Sequence, residues 1–520
     1  MTRPRHLVRA RHVPRLVLAL TAGLSLAACS LSSGSSGDGK STGGSAQKSL
    51  TVDLPNYPAS LDPGRQYDTA SYTVYRNIFD QLVRRNPKTQ KVVPWVADSW
   101  KQVDATTWSF RIHGGITFSN GEKLTADDAA FSINRILKKS FNSPQYANFS
   151  AISKATADGD QLIVKTKTPS PTLLSYLTTL SVVPKDYVTK VGDETFNTKP
   201  VGSGAYQVAS ATSGSSIELK ANPKYWKGKP AVSQVTFRAV PNDATRVADL
   251  KSGRADIVTQ LTPDDTVDIK NGGQAKVLSV PTERVAYLAL NAEGNAPTKN
   301  VKIRQAIAHA INYRSIIDNL QHGYAKQVKT VLTPLAFGYP DDVAGYDYDP
   351  AEAKRLLREA GGGSPTLVFP TSPSYDPALT QAIQADLEKV GFKVKLTNSD
   401  QATFLKKVQS PKHDWGALRF GRWSCSCLDA DGVIYPLFRT GTVWSSFSDP
   451  TFDKAVDAGR TTTDQAKRKA AYDQAFQVMQ QQVPGIGLYQ DYAIYGTAKN
   501  VSWLPDAQEN FFVTDVRFSG

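Results

Sequence analysis

The sequence predicts an α/β protein with at least two separately cored lobes. Period-two stretches suited to strands alternate along the chain with apolar stripes at helical spacing. Helix-start signals such as Thr125-x-x-Asp128, Asp349-Pro350 and Asp376-Pro377 stand before several of those stripes. The length of 520 residues exceeds what one hydrophobic core usually serves.

The elements follow in order. Arg3, Arg5, Arg9, Arg11 and Arg15 precede an apolar run from Leu16 to Ala28, which is too short for an ordinary membrane span and reads as a secretory leader, residues 1–28. Leu26-Ala27-Ala28-Cys29 resembles the bacterial lipobox. That resemblance implies a lipidated Cys29 at the outer face of the cell membrane, held by acyl chains. Residues 29–48 are mostly Ser, Gly and Thr, a composition that buries no core and acts as a flexible tether. Thr107–Ile112 alternates as a strand, and Thr125 with Asp128 forms a capping box for a helix continued by Ile133 and Leu137. Residues 300–320 read as one helix with Ile303, Ile307, Ile311 and Leu320 near one stripe. Asp349-Pro350 opens a helix that stops at Gly361, and Asp376-Pro377 opens one that runs to Gly391 and the strand Phe392–Leu396. A long helix over 464–482 ends before Pro484.

Charge and cysteine usage exclude some function classes. The formal charge is +14, of which the leader arginines supply five and leave +9 for the remainder. The basic residues are scattered, without the clustered footprint expected of a nucleic-acid binder, so attraction to an anionic cell surface explains them better. Beyond Cys29 only Cys425 and Cys427 remain, which is no disulfide framework. One residue separates them, leaving a short disulfide, two buried thiols or a soft-metal pair as readings. No histidine lies beside them to complete a metal site.

From Val93 the chain carries a recognisable series. Val93-Pro94-Trp95 and Ala97-Asp98-Ser99-Trp100 precede the Trp108–Ile112 strand, then Gly115-Ile116-Thr117-Phe118-Ser119-Asn120-Gly121 and Leu124-Thr125-Ala126-Asp127-Asp128. Leu61-Asp62-Pro63, Gly202-Ser203-Gly204-Ala205-Tyr206, Asn222-Pro223-Lys224-Tyr225-Trp226 and Tyr287-Leu288-Ala289-Leu290-Asn291 fall in the matching order around it. Together these blocks resemble the dipeptide/oligopeptide-binding family of importer receptors, family 5 of the solute-binding proteins, over residues 50–520. The glycines at 202 and 204 lack the lysine of a phosphate loop and read as a tight turn.

The resemblance implies a two-lobed clamp, like that of the periplasmic binding proteins, with a discontinuous first lobe: residues 49–287 and 491–520 in lobe one, 288–490 in lobe two. It implies a receptor that captures short peptides outside the cell, closes by a hinge motion, and delivers them to an ABC permease driven by ATPase subunits. The expected receptor is a monomer without catalytic residues, metal, cofactor or nucleic-acid partner.

In peptide-binding members an aspartate of lobe two meets the ligand's α-ammonium, since a buried ammonium needs a carboxylate. Counting back from Asp429, that position is Ser426, which accepts a hydrogen bond but carries no charge. Asp429 or Asp431 then takes the role, or the ligand lacks a free amino end. Trp423 is the expected site aromatic. Tyr287 and Asn291 on the crossing strand, and Asp68 and Ser71 in lobe one, complete the expected ligand contacts.

Two alternatives stand beside the peptide receptor. One is a receptor of the same fold for a nickel chelate, a sugar or another small solute. The other is a surface sensor or a secreted hydrolase, although no Gly-x-Ser-x-Gly or His-Glu-x-x-His motif is present.

Overall fold

The computed structural model describes residues 49–519, which make one compact unit. The predicted leader, Cys29 and the tether lie outside the described residues. No helix among the described residues is long and apolar enough to cross a membrane.

A nine-stranded sheet organises the chain. Its two longest strands, Ala275–Leu290 and Gly485–Ala498, run antiparallel through both halves of the molecule. At one end they lie beside Ile257–Val258 and the parallel pair Ser49–Leu54 and Gln234–Ala239. At the other they pair with Leu418–Trp423 and Ala325–Gln327. Each end faces its own core. Leu50, Val52, Phe237 and Tyr495 belong to the first. Leu288, Ile307, Phe369 and Leu418 belong to the second. Because apolar burial is the main stabilising term, two separate cores joined by two strands give the fold its two-lobed form.

The pairing of the two connecting strands breaks between Pro281 and Val285. Side chains stitch the gap: Thr282 Oγ1 donates to the Asp491 carbonyl at 2.8 Å, and Gln490 Nε2 donates to the Thr282 carbonyl at 2.7 Å. Glu283 is held outside the ladder, its backbone amide donating to the Ala507 carbonyl at 3.2 Å.

Two further layers complete the lobes. An antiparallel four-stranded sheet that includes Thr107–Ile112 packs on the helix Ala126–Leu137 around Phe110, Ile133 and Leu162. The capping box is present, with the Thr125 amide donating to Asp128 Oδ2 at 2.8 Å. The second lobe adds the helices Asp431–Phe438, Pro450–Arg460 and Gln465–Gln482 around Phe452, Tyr472 and Phe476.

The helix expected over 300–320 is interrupted. Val301–Ala310 ends at Ile311, and a short helical stretch begins after Asn312. Asn312 caps it by accepting from the Ser315 amide at 3.0 Å, while its own amide donates to Asp386 Oδ2 at 2.9 Å. Competition from an Asn side chain breaks the helix although the apolar stripe continues. The glycine turn has a steric reason: a Cβ on Gly202 would stand 2.0 Å from the Ile78 carbonyl oxygen, and one on Gly204 2.6 Å from that of Asn77. Only glycine lets this strand approach the end of the helix Thr69–Ile78 so closely.

Candidate functional site

Between the lobes the chain leaves a set of adjoining cavities. One of about 220 Å³ is lined by Tyr67, Arg76 and Arg85 from the first lobe, Glu283 from the connecting strand and Ser426 from the second lobe. A second, of about 450 Å³, shares Tyr67, Glu283 and Ser426 and adds Trp423, Tyr176 and Asp431. A third, of about 690 Å³, opens past Arg284 toward Tyr375, Arg422 and Asp491. These volumes suit a small organic solute.

The segment Trp423–Asp431 reaches across the cleft. The Ser426 carbonyl accepts from Gln508 Nε2 at 2.9 Å and faces Arg85 Nη2 at 3.5 Å. The Tyr176 hydroxyl lies 3.4 Å from Cys425 Sγ. Cys425 and Cys427 are disulfide-bonded, which decides among the sequence-level readings. Gly432 leaves room for that bridge: a Cβ there would stand 2.1 Å from Cys425 Sγ.

The expected ligand contacts divide into two groups. Trp423, Ser426 and Asp431 line the cavities. Trp423 is oriented by donating Nε1 to the Gly432 carbonyl at 2.8 Å and by an edge contact with Trp444. Asp431 is held by Arg460 at 2.8 Å. The others line none of these cavities, because their polar atoms serve the fold. Asp429 is buried against Arg468, and burial pushes its carboxyl up to about 6 despite that partner. Asn291 is fully buried, and its Nδ2 donates to the carbonyls of His413 at 2.7 Å and Gly416 at 2.9 Å. Tyr287 is buried against Gly421, with Arg419 donating to its hydroxyl at 3.1 Å. Asp68 caps the helix Thr69–Ile78 by accepting from the Ser71 amide at 2.9 Å, and Ser71 Oγ accepts from the Ala59 amide at 3.1 Å.

Other lining residues escaped the sequence reading: Tyr67, Arg76, Arg85, Tyr176, Glu283 and Gln508. One had a local signal. Glu283-Arg284 is an adjacent charged pair just ahead of the apolar run Val285–Leu290, an odd place for charge unless the strand lines a wet space. Arg284 pairs with Glu509 at 2.6 Å, and Arg422 with Asp491. Glu283 accepts from Gln508 Nε2 at 3.1 Å, and burial pushes its carboxyl up to about 7. Among the described residues no cluster of metal-ligating side chains occurs.

The sequence model of the bacterial extracellular solute-binding proteins, family 5 (middle region), matches residues 91–445. The dipeptide-binding protein of Escherichia coli strain K12 is 28% identical over 468 residues, covering 82% of this chain and 86% of that protein. Heme-binding protein A of Haemophilus influenzae is 28% identical over 465 residues, covering 82% and 84%. The fold is shared with DppA of Helicobacter pylori, solved with the peptide STSA, at a TM-score of 0.74 and 24% identity over 91% of this chain and 98% of that one.

Proposed function

The chain belongs to the family 5 bacterial extracellular solute-binding proteins, and from that premise we propose that it captures short peptides outside the cell and hands them to an ABC permease with its ATPase subunits. The observation that carries this reading is the polar, two-sided cleft. Carboxylates and guanidiniums face one small space, and Arg85 and Gln508 of the proposed lobe one reach across it to the carbonyl of Ser426 in the proposed lobe two. A zwitterionic ligand with polar backbone groups matches such a lining, whereas an apolar one leaves buried charges unmatched. The dipeptide-binding relative supports the same choice.

The proposed working unit is a monomer held to the outer face of the cell membrane through Cys29, with residues 49–287 and 491–520 as lobe one and 288–490 as lobe two. The strands crossing at Pro281–Val285 and Gln490–Tyr492 serve as its hinge. Closure joins contacts from both lobes on one ligand, so a ligand that binds only the closed form shifts the population toward it. The protein performs no chemistry on the ligand.

Mass spectrometry of small molecules released on unfolding, with thermal shifts against pooled di- and tripeptides, sugars and nickel–histidine, tests the reading. Released peptides, or a shift with peptides alone, is the expected result. A non-peptide ligand with no response to any peptide pool would overturn it.

A further inference from the structure

Glu283 is placed unlike its neighbours. It stands in the interrupted stretch of the connecting strand and lines both the 220 Å³ and the 450 Å³ cavities. The other carboxylates of these two cavities are already matched by cations: Glu509 by Arg284 at 2.6 Å and Asp431 by Arg460 at 2.8 Å. Among the described residues, no basic nitrogen lies within 4.0 Å of Glu283, and Gln508 Nε2 is its side-chain hydrogen-bond partner. A carboxylate taken out of water without a cation is costly. Burial accordingly weakens its acidity, as the upward shift to about 7 reflects.

Ser426 supplies the second half of the argument. The position where the family resemblance places an ammonium-binding carboxylate is a serine, and its backbone carbonyl accepts from the same Gln508 Nε2 that donates to Glu283. One amide nitrogen, 2.9 Å from the Ser426 carbonyl and 3.1 Å from Glu283 Oε2, therefore ties the backbone of that position to the unmatched carboxylate.

We propose that Glu283 holds the free ammonium of the ligand, so that the anchor has moved from the second lobe to the connecting strand. This rests on the reading of the protein as a peptide receptor and names the group that reads the peptide's amino end. The substrate class is then a short peptide with an unblocked amino terminus. The anchor sits in the hinge stretch at the edge of lobe one, so the ammonium docks in the open clamp. Closure afterwards brings Trp423 and Ser426 over it.

The test is calorimetric titration of the purified protein with a pool of free di- and tripeptides, and with the same pool N-acetylated. The wild type binds the free pool and loses at least about 30-fold in affinity for the acetylated one, the scale expected for losing one partner of a buried charge pair. Glu283→Gln keeps the size of the side chain and a bond to Gln508. It loses a similar factor for the free pool while its ligand-free melting temperature shows that it is folded. Equal binding of both pools by the wild type, or free-pool affinity in the folded variant within about three-fold of wild type, overturns the assignment and leaves the peptide reading standing. No binding of either pool by the wild type overturns the peptide reading itself, and the assignment with it.

Discussion

Arg468 Nη2 lies 2.7 Å and 2.9 Å from the two carboxylate oxygens of Asp429, and both residues are buried. The pair joins the helix Gln465–Gln482 to the loop that carries Ser426, and Tyr472 accepts a third contact from the same nitrogen at 3.2 Å. Asp429 is thereby committed to holding the cleft-spanning segment in place.

Removing either partner leaves a buried charge alone, which typically costs about 3–5 kcal/mol. Arg468→Met and Asp429→Leu should each lower stability by that amount in denaturant unfolding, while the double variant recovers much of the loss. Additive losses in the double variant would show that the two residues act separately.

Glu283 makes stability depend on pH with a definite sign. Its folded-state carboxyl sits near 7 against an ordinary 4.5, so between those values the folded protein holds a proton that the unfolded chain has released. Stability therefore falls as pH rises through that window, and the full cost is present above it. Arg284 and Arg85 keep their charge throughout, and Glu509 is held by Arg284. Ligand-free Glu283→Gln should be more stable than wild type at pH 8, on the order of 2 kcal/mol after allowing for solvent at the cavity mouth, with no difference at pH 4. Thermal melts of both proteins across that range give the answer, and parallel pH profiles would refute it.

Arg76 invites the opposite end of a peptide. It is buried at 4% exposure in the 220 Å³ cavity with no carboxylate within 4.0 Å, and its Nε lacks a hydrogen-bond partner. Its guanidinium rests over the Tyr72 ring at 4.3 Å and touches Asn510. Arg76→Met should weaken peptides with a free carboxyl end by about ten-fold or more and leave their C-terminal amides little changed. Titration calorimetry with matched acid and amide pools measures this, and equal losses for the two would remove the carboxylate from the account.

The disulfide and Gly432 share one space. A methyl at residue 432 would meet Cys425 Sγ at 2.1 Å and Cys427 Sγ at 2.5 Å. Gly432→Ala should destabilise the protein by about 1–3 kcal/mol through overpacking. That penalty should shrink when Cys425 and Cys427 are both alanine, as expected of residues in contact. Chemical denaturation of the four proteins tests the coupling, and an unchanged penalty would place the strain elsewhere.

Elements marked by local chemistry were legible in the sequence. The Thr125–Asp128 box, the Asp349 and Asp376 caps and the stops at Gly361 and Gly391 all act within a turn of their own position, and each is found where the sequence places it. The strand Thr107–Ile112 is equally local. The break at Asn312 was not legible, because the apolar stripe continues through it and the Asn312 amide, freed by its side-chain cap, is taken up by Asp386 far along the chain.

The site divides along the same line. By itself the sequence determined the receptor family and the α/β alternation, and it pointed to the Trp423–Asp431 segment, whose Trp423, Ser426 and Asp431 line the cavities, since all of this rests on residue order. Which side chains line the cavities was decided by tertiary structure. Asp429 meets Arg468, Asn291 meets the carbonyls of His413 and Gly416, and Glu283 is left without a cation, all through partners distant in sequence. A carboxylate's charge is free to bind a ligand when no neighbour has already matched it, and the packing of the lobes selects those neighbours.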